Sequence, residues 1–115
     1  MSYTSRQSRN RHSDGDAVFA AIADPTRRNI VQRLRGNRLT AGELARGFRI
    51  SRPAVSKHVR VLVRAGLLRE ERQGRHRLYE LDPAPLHVVD AWVSQYREFW
   101  RSNLQGLKGY VESSG

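Results

Sequence analysis

The chain has 115 residues, 38% of them hydrophobic, with 21 Lys and Arg against 11 Asp and Glu and no cysteine, a size that allows one hydrophobic core and one domain. Without cysteine there is no disulfide framework and no thiolate chemistry, and no apolar run is long enough to span a bilayer. The formal charge of +10 is concentrated, with +7 in residues 49–77 and a net of zero in 83–115, which points to a polyanionic partner, in the first place double-stranded DNA.

Residues 1–15 carry Arg6, Arg9 and Arg11 and almost nothing apolar, so they read as a flexible basic arm ahead of a domain spanning 16–115. They lack the apolar stretch of a secretory signal, and the expected location is the cytoplasm. Asp16 reads as the N-cap of a short helix bearing Val18, Phe19 and Ile22. Asp24-Pro25 repeats the start signal, because Asp can cap and Pro at the first helical position loses no needed N–H. The helix that follows carries Ile30, Val31 and Leu34 and stops near Gly36-Asn37.

Thr40-Ala41-Gly42-Glu43 has the spacing of a capping box, opening a helix of about two turns with Leu44 and Ala45 inward. Gly47, in a left-handed conformation, is expected to end it. Ser51 caps the next helix, which tolerates Pro53 in its first turn and runs to Ala65 before Gly66. Two helices joined by so short a turn predict a helix-turn-helix. Beyond Leu67, segments 68–73 and 75–81 flank Gly74 as a β-hairpin whose tip is crowded with Arg72, Arg75, His76 and Arg77. Asp82-Pro83-Ala84-Pro85 breaks the strand, and a last helix covers roughly 85–104, extending towards 111. The fold class is therefore mainly α with a β-hairpin wing.

On the second helix of the pair, Val55, Val59 and Leu62 recur at helical spacing as a buried stripe. Pro53, Ser56, Lys57, Arg60 and Arg64 line the opposite side, which is basic and nearly free of acid. Such a helix fits the major groove, where Arg or Lys donates to guanine while flanking Arg residues hold phosphates. Small Ala54 and Ser56 allow close approach to the base edges. The hairpin tip can reach a minor groove through Arg72, Arg75 and Arg77, and Glu70 and Glu71 confine the contact to that tip. Of the 21 basic residues 19 are Arg, which suits bidentate contacts. The expected DNA-binding set is Thr40, Ser51, Arg52, Ala54, Ser56, Lys57, His58, Arg60 and Arg64 with Arg72, Arg75 and Arg77. His58, between the two stripes, reads as an orienting or phosphate-contacting group.

The last helix holds Trp92, Tyr96, Phe99, Trp100 and Tyr110 with Leu104 and Leu107, an apolar stripe too wide for one small domain to cover. A second copy of the chain is its expected cover, with Phe19 and Ile22 contributing, which makes the protein a homodimer. An alternative use of Trp92, Tyr96 and Trp100 is a pocket for an unidentified apolar small-molecule effector. No enzyme is expected: there is no phosphate-binding Gly loop and no HExxH, and His12, His58, His76 and His87 are scattered.

The ordered runs Ala23-Asp24-Pro25-Thr26-Arg27-Arg28, Leu39-Thr40-Ala41-Gly42-Glu43-Leu44-Ala45, Ile50-Ser51-Arg52-Pro53-Ala54-Val55-Ser56-Lys57-His58, Ala65-Gly66-Leu67-Leu68, Gly74-Arg75 and Tyr79-Glu80-Leu81 resemble those of the bacterial ArsR-type winged helix-turn-helix repressors. The resemblance spans about residues 16–111. It implies a dimeric operator binder with Ser51 to Arg60 as recognition helix and Arg69 to Arg77 as wing. Metal-sensing relatives place Cys pairs where this chain has Glu43-Leu44-Ala45-Arg46-Gly47. Others use carboxylate and His ligands on the last helix, where this chain offers His87, Asp90 and Glu98 without a second His. The chain thus looks more similar to the metal-independent members, with no metal or cofactor expected. A metal-gated repressor of the same fold and an architectural, nucleoid-type DNA binder are the alternatives.

Overall fold

The computed structural model describes the backbone of residues 15–114 and the side chains of 15–104. The expected arm therefore falls almost wholly outside the described residues, as do the side chains of Leu107 and Tyr110. Helix α1 is already formed at residue 15 and continues to 22. Asp16 thus sits within the helix rather than at its N-cap, a correction to the sequence expectation. Helix α2 spans Pro25–Arg33, with Asp24 as N-cap accepting the Arg27 N–H at 3.0 Å. It stops where expected, with Gly36 at φ 73° and the Asn37 side chain donating to the Arg33 carbonyl at 3.2 Å.

Strand β1, Leu39–Thr40, leads directly into α3, Ala41–Ala45. The capping box at this junction is complete, with the Thr40 N–H donating to Glu43 Oε1 at 2.9 Å and the Glu43 N–H to Thr40 Oγ1 at 3.1 Å. Gly47 does not end α3 in a left-handed conformation: the positive-φ glycines are Gly36, Gly66 and Gly74. The end is instead held from α2. The Arg33 guanidinium donates to the Leu44 carbonyl at 2.6 Å and the Glu43 carbonyl at 3.0 Å and lies 5.5 Å over the Phe48 ring. A side chain thereby satisfies carbonyls that a helix terminus leaves open. Gly47 serves this contact, since a Cβ there would come within 2.9 Å of the Arg33 guanidinium.

Helix α4, Arg52–Arg64, is capped by the Ser51 hydroxyl and closed by Gly66 at φ 80°. Strands β2, Leu68–Gln73, and β3, His76–Leu81, pair antiparallel around Gly74-Arg75, with Gln73 opposite His76. Gly74 has φ 59°, as the first central residue of a type II′ hairpin turn requires. The sheet has one strand more than the sequence predicts: β1 pairs with β3, Leu39 opposite Tyr79, giving the order β1-β3-β2. A 3-10 turn, Ala84–Leu86, precedes α5, His87–Ser114, so the last helix starts two residues later than expected and runs further.

Val18 and Ala21 of α1, Ile30 and Leu34 from α2, Leu44 of α3, Val55, Val59 and Leu62 of α4, and Leu67, Leu68 and Tyr79 form one core. Leu86, Val88 and Val89 are the parts of the α5 region that pack against it. The architecture is a winged helix-turn-helix, with α3 and α4 as the helix pair, β2 and β3 as the wing and α5 projecting beyond the core.

Hydrogen bonds from the Arg27 backbone hold the Asp24 carboxyl below the usual range, and those from Thr40 do the same for Glu43. A depressed folded-state value adds stability above the ordinary carboxyl range, which is lost as pH falls through the depressed value. The thermal midpoint should therefore drop below about pH 4. The double substitution Asp24→Asn and Glu43→Gln keeps both caps and removes both titrations, so calorimetry across this range should give a flatter profile. An unchanged profile would dismiss these carboxyls as the cause.

Candidate nucleic-acid interface

Helix α4 is the only element of the helix pair long enough to enter a groove, and its two faces divide as the sequence predicts. Val55, Val59 and Leu62 are buried, whereas Arg52, Pro53, Ser56, Lys57, Arg60 and Arg64 are exposed. Among the described residues no carboxylate lies within 4 Å of the Arg52, Lys57, Arg60 or Arg64 charges. These cations face solvent with their full charge, an arrangement suited to displacing counterions from phosphates.

The smaller polar groups at the helix starts have structural partners as well. The Ser51 hydroxyl accepts the Ala54 N–H at 3.3 Å, and the Thr40 hydroxyl is committed to the capping box through its acceptor side. Both keep an O–H to donate. Ala54 is half-buried.

His58 departs from the exposed face and turns onto the start of α2. Its Nδ1 lies 3.2 Å from Arg27 Nη1 and 3.8 Å from Asp24 Oδ2. Guanidinium has no acceptor, so Nδ1 accepts. The same Arg27 donates to the carbonyls of Ala21 at 2.6 Å and Ala20 at 3.0 Å, while Arg28 donates to Ile22 at 2.9 Å and Ala23 at 3.1 Å. Two cations thus hold the C-terminus of α1, where the helix dipole favours them, and one of them also bonds to α4 through His58. Arg27, Arg28 and Arg33 were not among the expected site residues; the acidic N-cap followed by paired arginines was the available signal.

On the wing, Arg72 and Arg77 stand directly opposite in the ladder. Like charges in that position repel across a sheet, and a polyanion would relieve it. Arg77 is partly neutralised by Glu70 at 3.3 Å. Arg72 and Arg75 have no carboxylate within 4 Å among the described residues. Glu71 pairs with Arg38, and Glu80 lies 3.8 Å from Arg69. The free positive charge of the wing is therefore at its tip.

The last helix presents an aromatic ladder. Phe19 of α1 meets Trp92 edge-on at 6.1 Å between ring centres, Trp92 meets Tyr96 at 5.2 Å, and Tyr96 stacks towards Trp100 at 6.4 Å. Trp92 is 51% exposed and Phe99 62%, with Leu104 also exposed and Ile22 half-buried. The ladder does not line the cleft between α1, the end of α4 and the start of α5, which is bordered by Val18, Pro85 and Val88. Asp90 is paired with Arg97, and no group of three His, Cys, Asp or Glu side chains is gathered there or elsewhere in the described residues.

A family description for a helix-turn-helix domain matches residues 22–71, which span α2 to the wing. The chain is 41% identical over 100 residues to the HTH-type transcriptional regulator Rv2034 of Mycobacterium tuberculosis, covering 87% of this chain and 91% of that protein. It is 38% identical over 79 residues to the transcriptional repressor SdpR of Bacillus subtilis, covering 69% of this chain and 88% of the relative. Among solved structures it resembles the ArsR family transcriptional regulator RHA00566, with a TM-score of 0.70 and 36% identity over 78% of this chain and 93% of that one.

Proposed function

The chain belongs to the ArsR family of helix-turn-helix transcriptional regulators, DNA-binding proteins rather than enzymes, and on that premise we propose that it is a homodimeric repressor of an inverted-repeat operator. Residues 16–115 form the regulator domain in this reading, with 1–15 as a basic arm. Helix α4 enters the major groove through Ser56, Lys57 and Arg60, near its N-terminal half. Arg52 and Arg64 hold flanking phosphates, and the wing tip places Arg72 and Arg75 in the adjoining minor groove. His58 acts by orienting α4 against α2 rather than by touching DNA. The observation that carries the reading is the acid-free basic face of α4 beside a wing whose unpaired charge is confined to its tip.

The exposed ladder from Phe19 to Trp100 supports the homodimer, since contiguous apolar surface of this extent ordinarily meets a partner. A twofold dimer presents two recognition helices about one turn of DNA apart, so half-sites about 10 bp or a multiple apart are expected. Selection of bound genomic fragments followed by footprinting tests this; protection of one asymmetric half-site would overturn it, and equal affinity for random DNA would make the protein an architectural binder.

Two substitutions separate base reading from phosphate holding. Arg60→Ala should relax discrimination between operator and altered sites by about 1–3 kcal/mol, whereas Arg75→Ala should weaken all sequences alike and lower the salt dependence. Titrations of operator and random duplexes at several salt concentrations decide between them. Unchanged affinities for both duplexes would remove α4 and the wing tip from the interface.

A further inference from the structure

A cleft of about 700 Å³ lies where α1, the end of α4 and the start of α5 meet, and no ring of the aromatic ladder is part of its lining. Val18, Pro85 and Val88 give it apolar lining, Gly66 also borders it, and Arg64 and His87 are its residues with charged or polar side chains; Arg64 also borders a second cleft, between α4 and the wing, together with Glu70 and Arg77. Its volume is in the range of small-molecule sites, and an apolar surface with few polar groups is their usual lining.

Two further features give the cleft a chemical preference. No carboxylate lines it, and Arg64 has no acidic partner within 4 Å among the described residues, although ion pairs occupy Asp90 with Arg97, Glu70 with Arg77 and Glu71 with Arg38. Asp82, close by in sequence, is engaged by the Ala84 N–H at 3.1 Å. A guanidinium turned from this shared edge towards the apolar walls selects a ligand with one carboxylate and an apolar body, because the planar fork matches a carboxylate with two parallel hydrogen bonds. The cleft is also built from the elements whose relation matters for DNA. Gly66 closes the recognition helix, a Cβ there would meet Pro85 Cγ at 3.6 Å, and the Asp82 N–H donates to the Leu67 carbonyl at 2.8 Å. The end of α4 is thereby tied to the segment that launches α5.

We propose that this cleft is an effector site for an apolar monocarboxylate, held by Arg64 and seated against Val18, Pro85 and Val88, whose binding releases DNA. The coupling rests on the reading of Arg64 as a phosphate contact. One guanidinium cannot be given fully to a ligand carboxylate and to a DNA phosphate, so each partner weakens the other by the same factor.

The test uses the full chain, free of DNA, titrated with phenylbutyrate and with its neutral amide, phenylbutyramide, while backbone amide resonances are followed. The expected result is saturable shifts centred on Gly66 and Val88, with the acid bound at least about tenfold more tightly than the amide. Arg64→Met should lose that preference, and Val88→Phe, which fills the cleft, should lose both ligands while still binding operator. Wild-type operator affinity should fall about fivefold or more at saturating phenylbutyrate, a coupling of ordinary size.

Absence of saturable shifts, equal binding of acid and amide, or shifts centred on Trp92 to Trp100 would overturn the site. So would binding that appears only after residues 2–14 are deleted, since that segment would then be the occupant. Acid binding that depends on Arg64 without any change in operator affinity would overturn the release of DNA. Acid binding by a protein that prefers no DNA sequence would leave the site standing and remove the repressor reading instead.

Discussion

Trp100→Ala should convert the proposed dimer into monomer and cost the protein its proposed operator, although the side chain touches no DNA in that complex. Trp100 is 44% exposed in the single chain, so truncating it removes little from the core of one protomer. Across a twofold seam the same indole is buried twice, once from each subunit. Central aromatic anchors are worth about 2 kcal/mol or more each when truncated to alanine, and two copies would raise the dimer dissociation constant by about 10³. A monomer holds the phosphates of one half-site, so affinity for the full operator should fall with dimerisation. Sedimentation equilibrium and operator titration on the same samples provide the check. If the unmutated protein is a monomer at micromolar concentration and still binds its operator tightly, the ladder is not the seam.

Leu62→Ala should have the largest effect on the fold itself. Leu62 is fully buried on the inner face of α4, within the core that Ile30, Leu34 and Leu44 share. Removing a buried leucine costs about 2–5 kcal/mol through lost burial and the cavity left behind, against a total stability of about 5–15 kcal/mol for a domain. Lys57→Ala, on the exposed side of the same helix, should stay within about 0.5 kcal/mol of the parent while weakening DNA binding. Urea unfolding separates the two, and a Leu62→Ala protein within about 1 kcal/mol of the parent would contradict the packing of α4.

What could be read from the sequence is largely what is decided within a few residues. The N-caps at Asp24 and Ser51 and the Thr40–Glu43 box each bond across three positions, and the turns at Gly66 and Gly74 depend on one residue's freedom at positive φ. The buried and exposed faces of α4 follow from periodicity alone. What stayed hidden is non-local. The two residues of β1 form a strand only because β3 lies beside them, with Thr40 paired to Leu78. The end of α3 is set by Arg33, eleven residues before Leu44, so the local rule that assigned a left-handed conformation to Gly47 failed. His58 had the correct intermediate position on the wheel, but its partners, Asp24 and Arg27, come from another helix.

The chain contains two tryptophans, Trp92 and Trp100, and both belong to the aromatic ladder, one on either side of Tyr96. Its indole fluorescence is therefore a reporter confined to that ladder, silent about α4 and the wing. On the proposed seam, both indoles lose water when two copies meet, so emission should move to shorter wavelength on association and back on dilution. Assembly can then be followed optically in the unlabelled protein, with DNA present or absent, because the duplex contributes no indole signal.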